Sequence, residues 1–458
     1  MSEAPIVMPH PAVTRRSRFI KFLEAMRIPA LAILVAFLLG AIIILITDGS
    51  LLIVGEAYWG MIRGAFIKQR GFTETLVATT PYILLSLGVG LGFKAGLFNI
   101  GIEGQFYIGA ISAAFVGQAF HNLPAIIHLP LTLLSGIVGG AIWAAIPGYL
   151  KARTGAHEVI STMMMNYIAF RLQEYIVTFQ LKDPGAGLVQ TPPVSKQAEV
   201  WLLNEIPQRL KDPLNALMVA LVIGFIFLLI GRWVVGLPGL QKRFTTPLQR
   251  RLVMWGIGLL AALITFFGLP PLTRLWWPFT DAYDRLHTGL FIALFAAVAV
   301  WWLLSKTTIG FELRSVGANL NAAKYAGMSI TRNIMIAMVL SGALGGLAGT
   351  IEVLGVSTCR CVQVAFVSGY GWDSIGIALL AKNSPFGIIA ASFLWAAMRN
   401  GADLMELSSG VSKYIISLIQ GLVLLFIAAP AIVRWVFRIK GGKVEEQGPL
   451  THGWGGGG

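Results

Sequence analysis

Charged residues are scarce in this sequence: only 12% of its 458 residues are Asp, Glu, Lys or Arg, while 56% are hydrophobic. A soluble domain typically carries about twice that share of charge. The apolar residues lie in long blocks, and the first of them, residues 29–46, is long enough to cross a bilayer as a helix. The scarcity of charge therefore excludes a soluble globular protein and indicates a polytopic membrane protein.

The sequence also lacks the short alternating segments of a membrane-spanning sheet, so we predict an all-α fold. Counting the apolar blocks gives about 10 to 12 transmembrane helices, some broken by Gly or Pro. The boundaries predicted are a basic cytoplasmic N-terminus at residues 1–28, a transmembrane domain at 29–437 and a disordered cytoplasmic tail at 438–458.

Motifs of enzymes are missing. The sequence has no G-x-x-x-x-G-K-[ST] run, and "GGKV" at 441–444 lacks the hydroxyl residue, so the chain does not hydrolyse ATP itself. "HEVIS" places Ser161 where a zinc protease needs its second His, which leaves no metal pair on one helical face. We therefore predict no catalytic residue, no metal site and no cofactor in this chain.

Cysteine is nearly absent as well. Cys359 and Cys361 are two residues apart, which we interpret as too close for a sound structural disulfide. A lone C-x-C without further ligands is a weak metal signal. We therefore predict two ordinary thiols.

The net charge of +14 is concentrated in a few loops and at the two ends of the chain. This is the distribution that the positive-inside rule gives, rather than a nucleic-acid-binding surface. It predicts that both termini and the polar segment 305–332 are cytoplasmic, and that the loop at 181–213 lies outside. The loop contains several prolines and is expected to be irregular, with one short helix near Trp201.

Polar residues interrupt the apolar segment "GLFNIGIEGQ" at 96–105. On a helix, Asn99 and Glu103 are four residues apart and share a face that Phe106 extends. A carboxylate inside a membrane is expensive and faces a partner or a cavity. Either Glu103 is structural, paired with Lys94 or capping a broken helix, or it lines the pathway of a solute.

A second polar stripe lies in the segment "GAHEVISTMMMNYIAF". Glu158 and Thr162 share a helical face, and Asn166 lies close to it, so we predict a motif at a helix edge. In the previous segment, Gly101 and Gly104 lie opposite the polar face, where a neighbouring helix can approach closely.

The segment 305–332 is too regular for a plain linker. Asn319 is a plausible N-cap of a short helix, and Gly327 fits the position just after its end. The face bearing Ala322 and Ala323 is small, so something bulky can press against it. We predict a docking element for a cytoplasmic partner; the alternative is an amphipathic loop on the lipid headgroups.

The segment 369–404 is divided by glycines and by Pro385 into half-spans. Broken helices in lipid are tolerated only where they line a cavity or are buried in protein. Asp373 lies near the first break and, like Glu103, is a carboxylate in an apolar segment that is expected to face a partner or a cavity.

Together the segments "GLFNIGIEGQ", "GAHEVISTMMMNYIA", "TTIGFELRSVGANLNAAKYAG" and "GYGWDSIGIALLAKNSPFG" resemble permease subunits of bacterial ATP-binding-cassette (ABC) importers. Within that family, the segments resemble the branch that transports nucleosides and simple sugars, which is related to the ribose and branched-chain amino-acid permeases. The resemblance covers about residues 76–432. The sequence departs from it in an extra apolar block around 232–272, which adds a helix pair, and in "STCRCVQV" at 357–364.

The resemblance implies a permease in the bacterial inner membrane, with both termini cytoplasmic and membrane lipid around it. It also implies a second permease subunit, homologous or identical, a cytoplasmic ATPase subunit that carries ATP and Mg²⁺, and an extracytoplasmic solute-binding protein; no nucleic acid is expected. The residues that would line or support the solute path are Phe98, Asn99, Glu103, Phe106 and Asp373. Those that would couple to the ATPase are Gly317, Asn319, Ala322, Ala323 and Gly327.

The function expected is transport of a nucleoside or simple sugar, driven by ATP on a separate subunit. The alternative is an ion-coupled secondary transporter with Glu103 or Asp373 as the proton carrier. A membrane enzyme is a more distant third possibility, because no catalytic motif supports it.

Overall fold

The computed structural model describes residues 15–120, 122–235, 246–364 and 369–429. The chain forms two compact units: unit 1 comprises residues 1–64 and 401–458, and unit 2 comprises residues 65–400. The described α-helices, numbered in chain order, are α1 (Arg15–Asp48), α2 (Leu51–Ile62), α3 (Gly71–Lys94), α4 (Ile102–Ala119), α5 (Ala125–Thr154), α6 (Glu158–Tyr175), α7 (Ile206–Arg209), α8 (Pro213–Val235), α9 (Pro247–Leu275), α10 (Gly289–Lys306), α11 (Thr308–Ala318), α12 (Leu320–Tyr325), α13 (Ile330–Ile351), α14 (Tyr370–Leu380), α15 (Pro385–Ser409) and α16 (Tyr414–Ala428). Short π-helical turns lie at Arg63–Ile67, Ile176–Gln180 and Glu352–Val356.

The prediction of a polytopic all-α membrane protein is confirmed. Among the described residues, seven helices are long and apolar enough to cross a bilayer, namely α1, α3, α5, α8, α9, α10 and α13. They differ in their surroundings, since the most apolar part of α3 is 89% buried inside the protein and that of α9 only 6%. Helix α3 is therefore central to unit 2, and α9 is peripheral.

Among the described residues, one helix, α9, lies in the block around residues 232–272 where a helix pair was expected, and its partner α8 lies almost entirely before that block. Helices α8 and α9 pack closely because two glycines lie in their contact: a Cβ on Gly224 would lie 2.8 Å from Ala262 Cβ, and one on Gly258 would lie 2.9 Å from Leu228 Cβ. Helix α9 begins with a capping box between Thr246, the N-cap, and Gln249, the third residue of the helix.

The core of unit 2 is the contact of α13 with α4 and α5. Glycines bring these backbones together: Gly109 of α4 and Gly140 of α5 both meet Gly346 of α13, and a side chain at any of the three would collide with backbone. Contacts between small residues are the usual way for helices to pack in a bilayer, where lipid tails are as apolar as Leu. The glycine-rich run of α13 therefore fixes the centre of the bundle.

Two ends of unit 2 are distinguished by their connections. One end, which we call the long-loop end, contains the segments 176–212, 276–288 and 357–364. Backbone hydrogen bonds join these segments, including Leu203 N to Leu286 O at 2.8 Å and Thr191 N to Val362 O at 2.9 Å. The other end, which we call the short-helix end, contains α11 and α12. These helices lie beside the turn after α3, where a Cβ on Gly96 would lie 2.9 Å from Gly317 Cα.

Unit 1 contains α1, α2, α16 and the last turns of α15. Helices α1 and α16 pack through Gly40, since a Cβ there would lie 2.6 Å from the Ile419 side chain. Tyr58 of α2 donates a hydrogen bond to the Phe37 carbonyl of α1 at 2.5 Å. The N-terminal boundary at 1–28 falls partly inside α1, while the predicted tail at 438–458 lies outside the described residues.

The prediction of free thiols is wrong, because Cys359 and Cys361 form a disulfide. The intervening residue, Arg360, has a φ of 52°, in the left-handed region. This turns the chain sharply, so the two Cα atoms lie 5.1 Å apart and the side chains meet. Sequence separation alone did not allow for a reversal of the chain at one residue.

Candidate functional site

The chain breaks between α3 and α4, and Asn99 lies in this break. Asn99 and Glu103 therefore do not share a helical face as predicted, because α4 begins only at Ile102. The Asn99 side chain is 1% exposed; its Oδ1 accepts a hydrogen bond from Gly101 N at 3.0 Å, and its Nδ2 donates to Ser341 Oγ at 2.8 Å. The amide thus satisfies a backbone group that hydrocarbon would leave unpaired.

Helix α6 supports the same break from the other side. Asn166 Oδ1 accepts from Gly104 N at 2.7 Å, and its Nδ2 donates to the Ile100 carbonyl at 2.9 Å. The glycines are what allow this approach, since a Cβ on Gly101 would lie 3.0 Å from Thr162 Cβ. The expectation that a helix approaches the glycine side of α4 is confirmed, and that helix is α6.

Glu158, the third member of the helix-edge motif, lies in the first turn of α6. Its carboxylate pairs with Lys151 of α5 at 2.7 Å, and its backbone carbonyl accepts from Thr162 Oγ1 at 2.6 Å. The motif thus joins α5 and α6 at the short-helix end.

Glu103 caps the half-helix α14. Its side chain is fully buried; Oε1 accepts from Gly369 N at 2.7 Å, and Oε2 accepts from Gly371 N. A carboxylate at a helix N-terminus pairs with free N–H groups and with the positive end of the helix dipole. Of the two structural roles considered for Glu103, the contacts are those of a cap on a broken helix rather than of a pair with Lys94.

Asp373, in the first turn of α14, belongs to a polar cluster within the bundle. Its Oδ2 accepts from Tyr82 Oη at 2.8 Å and from an Arg399 guanidinium nitrogen at 2.7 Å. The Arg399 side chain is 46% exposed in the single chain and lies in the middle of α15, between Met398 and Asn400. Charged groups avoid the hydrocarbon of a bilayer, so an exposed guanidinium inside it needs a polar or proteinaceous neighbour.

The aromatic candidates occupy different places. Phe106 is fully buried and meets Tyr370 edge-on at 5.9 Å, and Tyr370 in turn meets Tyr82 at 4.8 Å. Phe98 instead packs on Phe93 of α3 at 4.9 Å. The structure therefore brings Glu103, Phe106 and Asp373 together around the start of α14, with Asn99 in the break before α4 and Phe98 apart from them.

The predicted boundaries of the short helix in 305–332 are confirmed. Asn319 caps α12 by accepting from Ala322 N at 3.0 Å. Gly327 follows the C-cap with a φ of 78°, and Met328 N bonds back to the Ala323 carbonyl at 3.0 Å. Gly317 lies just before this helix, in backbone contact with Gly96.

The two alanines of α12 do not share one outer face. Ala323 is 2% exposed and packs inward, whereas Ala322 is exposed. The large side chains on the outer surface are Leu320, 55% exposed, and Tyr325, 94% exposed. The outer surface of α12, which we call the α12 face, is thus formed by Leu320, Ala322, Lys324 and Tyr325 rather than by a pair of small residues.

Two groups at the long-loop end lie outside the membrane-spanning helices and have shifted pKa values. Arg70 Nε donates to Asp281 at 2.7 Å, which lowers the pKa of Asp281 below its usual value. Burial lowers the pKa of His287 to about 3, so its ring is neutral at neutral pH, and its Nδ1 accepts from Gly289 N at 3.1 Å. These contacts fasten the connection before α10.

Sequence reasoning did not identify three polar residues in the interior of unit 2, namely Tyr82, Glu352 and Arg399. Arg399 and Glu352 are ionisable residues inside apolar runs, which is a signal that the sequence did contain. Tyr82 carries no such signal, because a tyrosine in an apolar helix is common in any core.

The fold is that of a polytopic helical permease: a bundle with two broken segments that meet in its interior. The chain matches the family described as "Branched-chain amino acid transport system / permease component" over residues 71–428, and it belongs to that family. It is a transport subunit rather than an enzyme, and this membership supports the ATP-driven permease and not the ion-coupled transporter.

Curated relatives match over most of their length. The chain is 34% identical to the guanosine ABC transporter permease protein NupP of Bacillus subtilis, over 94% of this chain and 99% of the relative. It is 31% identical to the glucose ABC transporter permease protein TsgB13 of Haloferax volcanii, over 87% and 86%. It is 29% identical to the nucleoside ABC transporter permease protein NupB of Lactococcus lactis, over 89% and 91%. No solved structure matches the chain.

Proposed function

We propose that this permease forms the inner-membrane pathway for a nucleoside, with a simple sugar as the second candidate. The observation that carries the proposal is the similarity to NupP, at 34% identity over 94% of the chain. The glucose permease TsgB13 supports the sugar, at lower identity and coverage. Both solutes offer hydroxyl donors, and a nucleoside adds an aromatic ring.

The partners proposed follow from the family. A separate ATPase subunit supplies ATP hydrolysis with Mg²⁺, a second permease subunit completes the pathway, and a solute-binding protein delivers the solute. We place the ATPase at the short-helix end and the binding protein at the long-loop end, with both termini cytoplasmic. The positive-inside rule supports this orientation, since Lys306, Arg314, Lys324 and Arg332 all lie at or near α11 and α12.

We assign the solute path to the exposed side of the Asp373–Arg399 cluster. An exposed guanidinium at membrane depth is compatible with water, solute or a second permease subunit, and not with lipid. Asp373 lines this region in our proposal, whereas Phe106 is fully buried and supports it through its contact with Tyr370. Asn99 and Glu103 support it indirectly, because their polar atoms are engaged in holding the two broken segments.

We assign coupling to the α12 face, with Gly317, Asn319 and Gly327 shaping the segment. The protruding Tyr325 and Leu320 supply apolar contact area to a cleft in the ATPase, and Lys324 supplies charge. Aromatic side chains that are fully exposed in a free chain are typical anchors of an interface.

Reconstitution tests the function. Proteoliposomes containing the permease, its ATPase and its binding protein should accumulate radiolabelled guanosine when ATP is supplied. Uptake of glucose instead of guanosine would favour the second candidate. Uptake by the permease alone, driven by a proton gradient, would overturn the proposal.

Cysteine labelling tests the orientation. In a background lacking Cys359 and Cys361, Lys196→Cys at the long-loop end should react with an impermeant thiol reagent in intact cells. Lys324→Cys at the short-helix end should react only after the membrane is opened. Both side chains are exposed, so accessibility alone does not separate them; the reverse pattern would invert the topology.

A further inference from the structure

One buried carboxylate has a hydrogen-bonding atom that the described residues leave without a partner. Glu352 is 3% exposed and begins the π-turn that follows α13. Its Oε2 is buried and has no hydrogen-bond partner within the described ranges. Buried polar groups are nearly always paired, and π-turns inside helices are frequent at functional sites. Glu352 therefore needs an explanation that packing does not supply.

Two guanidiniums lie within electrostatic range of Glu352, those of Arg285 and Arg399. Each is already engaged elsewhere. Arg285 donates to the Glu74 carboxylate at 3.3 Å and to the Val356 carbonyl. Arg399 donates to Tyr82 Oη at 2.7 Å and to the Asp373 carboxylate. Among the described residues, neither guanidinium donates a hydrogen bond to Glu352. The Glu352 carboxylate therefore has positive charges nearby, but its Oε2 accepts no hydrogen bond from these residues.

These groups form a series of alternating sign from the long-loop end towards the middle of the bundle, which we call the charged file: Glu74, Arg285, Glu352, Arg399 and Asp373. The first pair joins the segment 276–288 to α3, and the last pair joins α15 to the start of α14. Charges cluster inside membrane proteins where solutes pass, because an apolar route would not admit a polar solute. Within the described residues, the middle member of the file, Glu352, has a buried carboxylate oxygen that accepts no hydrogen bond.

We propose that Glu352 contacts the solute during passage: when the path opens, its free carboxylate oxygen accepts a hydrogen bond from the solute. This inference rests on the proposed function. A carboxylate only accepts, so the ligand presents adjacent donors, either the cis-diol of a sugar or the N–H and amino edge of guanine.

The first test is Glu352→Gln in the reconstituted complex, with guanosine as solute. The substitution keeps the volume and removes the charge. Initial uptake per complex should fall at least about tenfold, as expected for the loss of one hydrogen bond to a charged group. The melting temperature should stay close to that of the wild type, because Glu352 Oε2 has no hydrogen-bond donor among the described residues.

The matched control is Glu158→Gln, which neutralises a carboxylate that is paired with Lys151 at 2.7 Å. That variant should lower the melting temperature with little change in uptake per complex. If Glu352→Gln behaves in the same way, the carboxylate is structural and the inference is wrong. Uptake by Glu352→Gln within twofold of the wild type would also overturn it.

Two analogues identify the donor. Inosine lacks the 2-amino group of guanosine, and 2′,3′-dideoxyguanosine lacks the diol. Glu352→Gln should have a smaller effect on uptake of the analogue that lacks the contacted donor. Equal effects on guanosine and both analogues would contradict a direct hydrogen bond from either group.

A labelling experiment covers a variant that transports nothing. Glu352→Cys, in a background with Cys359→Ser and Cys361→Ser, should react with a small thiol reagent in at least one nucleotide state of the complex. Absence of labelling in the nucleotide-free, ATP-bound and vanadate-trapped states would overturn the inference. If the wild type moves neither guanosine nor glucose, the proposed function fails, while this labelling still reports whether Glu352 faces an opening path.

Discussion

Glu103 and Glu352 are both carboxylates buried in the apolar interior of unit 2, but their surroundings differ. Both oxygens of Glu103 accept backbone hydrogen bonds, from Gly369 and from Gly371. One oxygen of Glu352 has no such partner in the described part of the chain. A carboxylate with all its acceptors engaged stabilises the fold, whereas one with a free acceptor destabilises it unless a ligand or water completes it. Burial alone therefore does not distinguish a structural acid from a functional one; the hydrogen-bond inventory does.

The largest expected effect is on stability, at Glu103. Glu103→Ala leaves two buried N–H groups at the start of α14 unpaired, at a cost of about 4 kcal/mol. The complex should lose most of its yield and melt at a lower temperature, while Glu103→Gln should retain part of the stability through its amide oxygen. Thermal unfolding in detergent measures this. A normal melting temperature for Glu103→Ala would remove the contrast with Glu352.

A carboxylate introduced without any partner extends the comparison. Ala323→Glu places a charge where the native side chain is 2% exposed, and should destabilise the protein by about 3 kcal/mol. Ala322→Glu, one residue away and exposed, should fold normally but reduce co-purification of the ATPase. Full recovery of the complex with Ala322→Glu would argue against the α12 face as the docking surface.

The neutral side chains around the break test whether charge is needed at all. Asn166→Ala leaves the Gly104 N–H and the Ile100 carbonyl unpaired, which should cost about 2 kcal/mol. Asn166→Asp keeps the acceptor for Gly104 N–H but buries a charge against the Ile100 carbonyl, so it should melt no higher than Asn166→Ala. An Asn166→Asp variant as stable as the wild type would show that the neutral amide is not needed at this position.

The smallest effect is expected for the exposed carboxylate Asp281. Its pKa is lowered by the hydrogen bond from Arg70, so the contribution to stability is fully present above the usual Asp pKa of about 4 and is lost as the pH falls through the lowered value. The melting temperatures of the wild type and Asp281→Asn should differ slightly at neutral pH and converge in acid. The difference should also shrink in high salt, which a buried pair resists. A difference in melting temperature that grows in acid would contradict this prediction.

Local features were predictable because their causes are local. The cap at Asn319 and the left-handed Gly327 depend on atoms within a few residues, and both lie where the sequence places them. The orientation of α12 was not predictable in the same way. Whether Ala322 or Ala323 faces inward depends on how the short helix packs against its neighbours, and helical spacing alone leaves that rotation open.

The break before α4 shows the same limit more strongly. A regular helix through Asn99 and Glu103 was consistent with their spacing, yet the chain is irregular up to Gly101. Asn166 and Ser341, far away in sequence, stabilise the irregular backbone there by supplying hydrogen-bond partners to it and to Asn99. The disulfide between Cys359 and Cys361 likewise depends on the left-handed Arg360, which no spacing rule anticipates.

The sequence by itself determined that this is a polytopic helical membrane protein, because an apolar chain with few charges in long blocks can satisfy its backbone in a bilayer only as helices. The resemblance of four of its segments to ABC permeases indicated the transport role, and the family match shows it. Only the tertiary structure decided which buried acid is engaged and which has a free oxygen. Hydrogen bonding between segments hundreds of residues apart depends on atomic positions, and composition and periodicity contain no information about those.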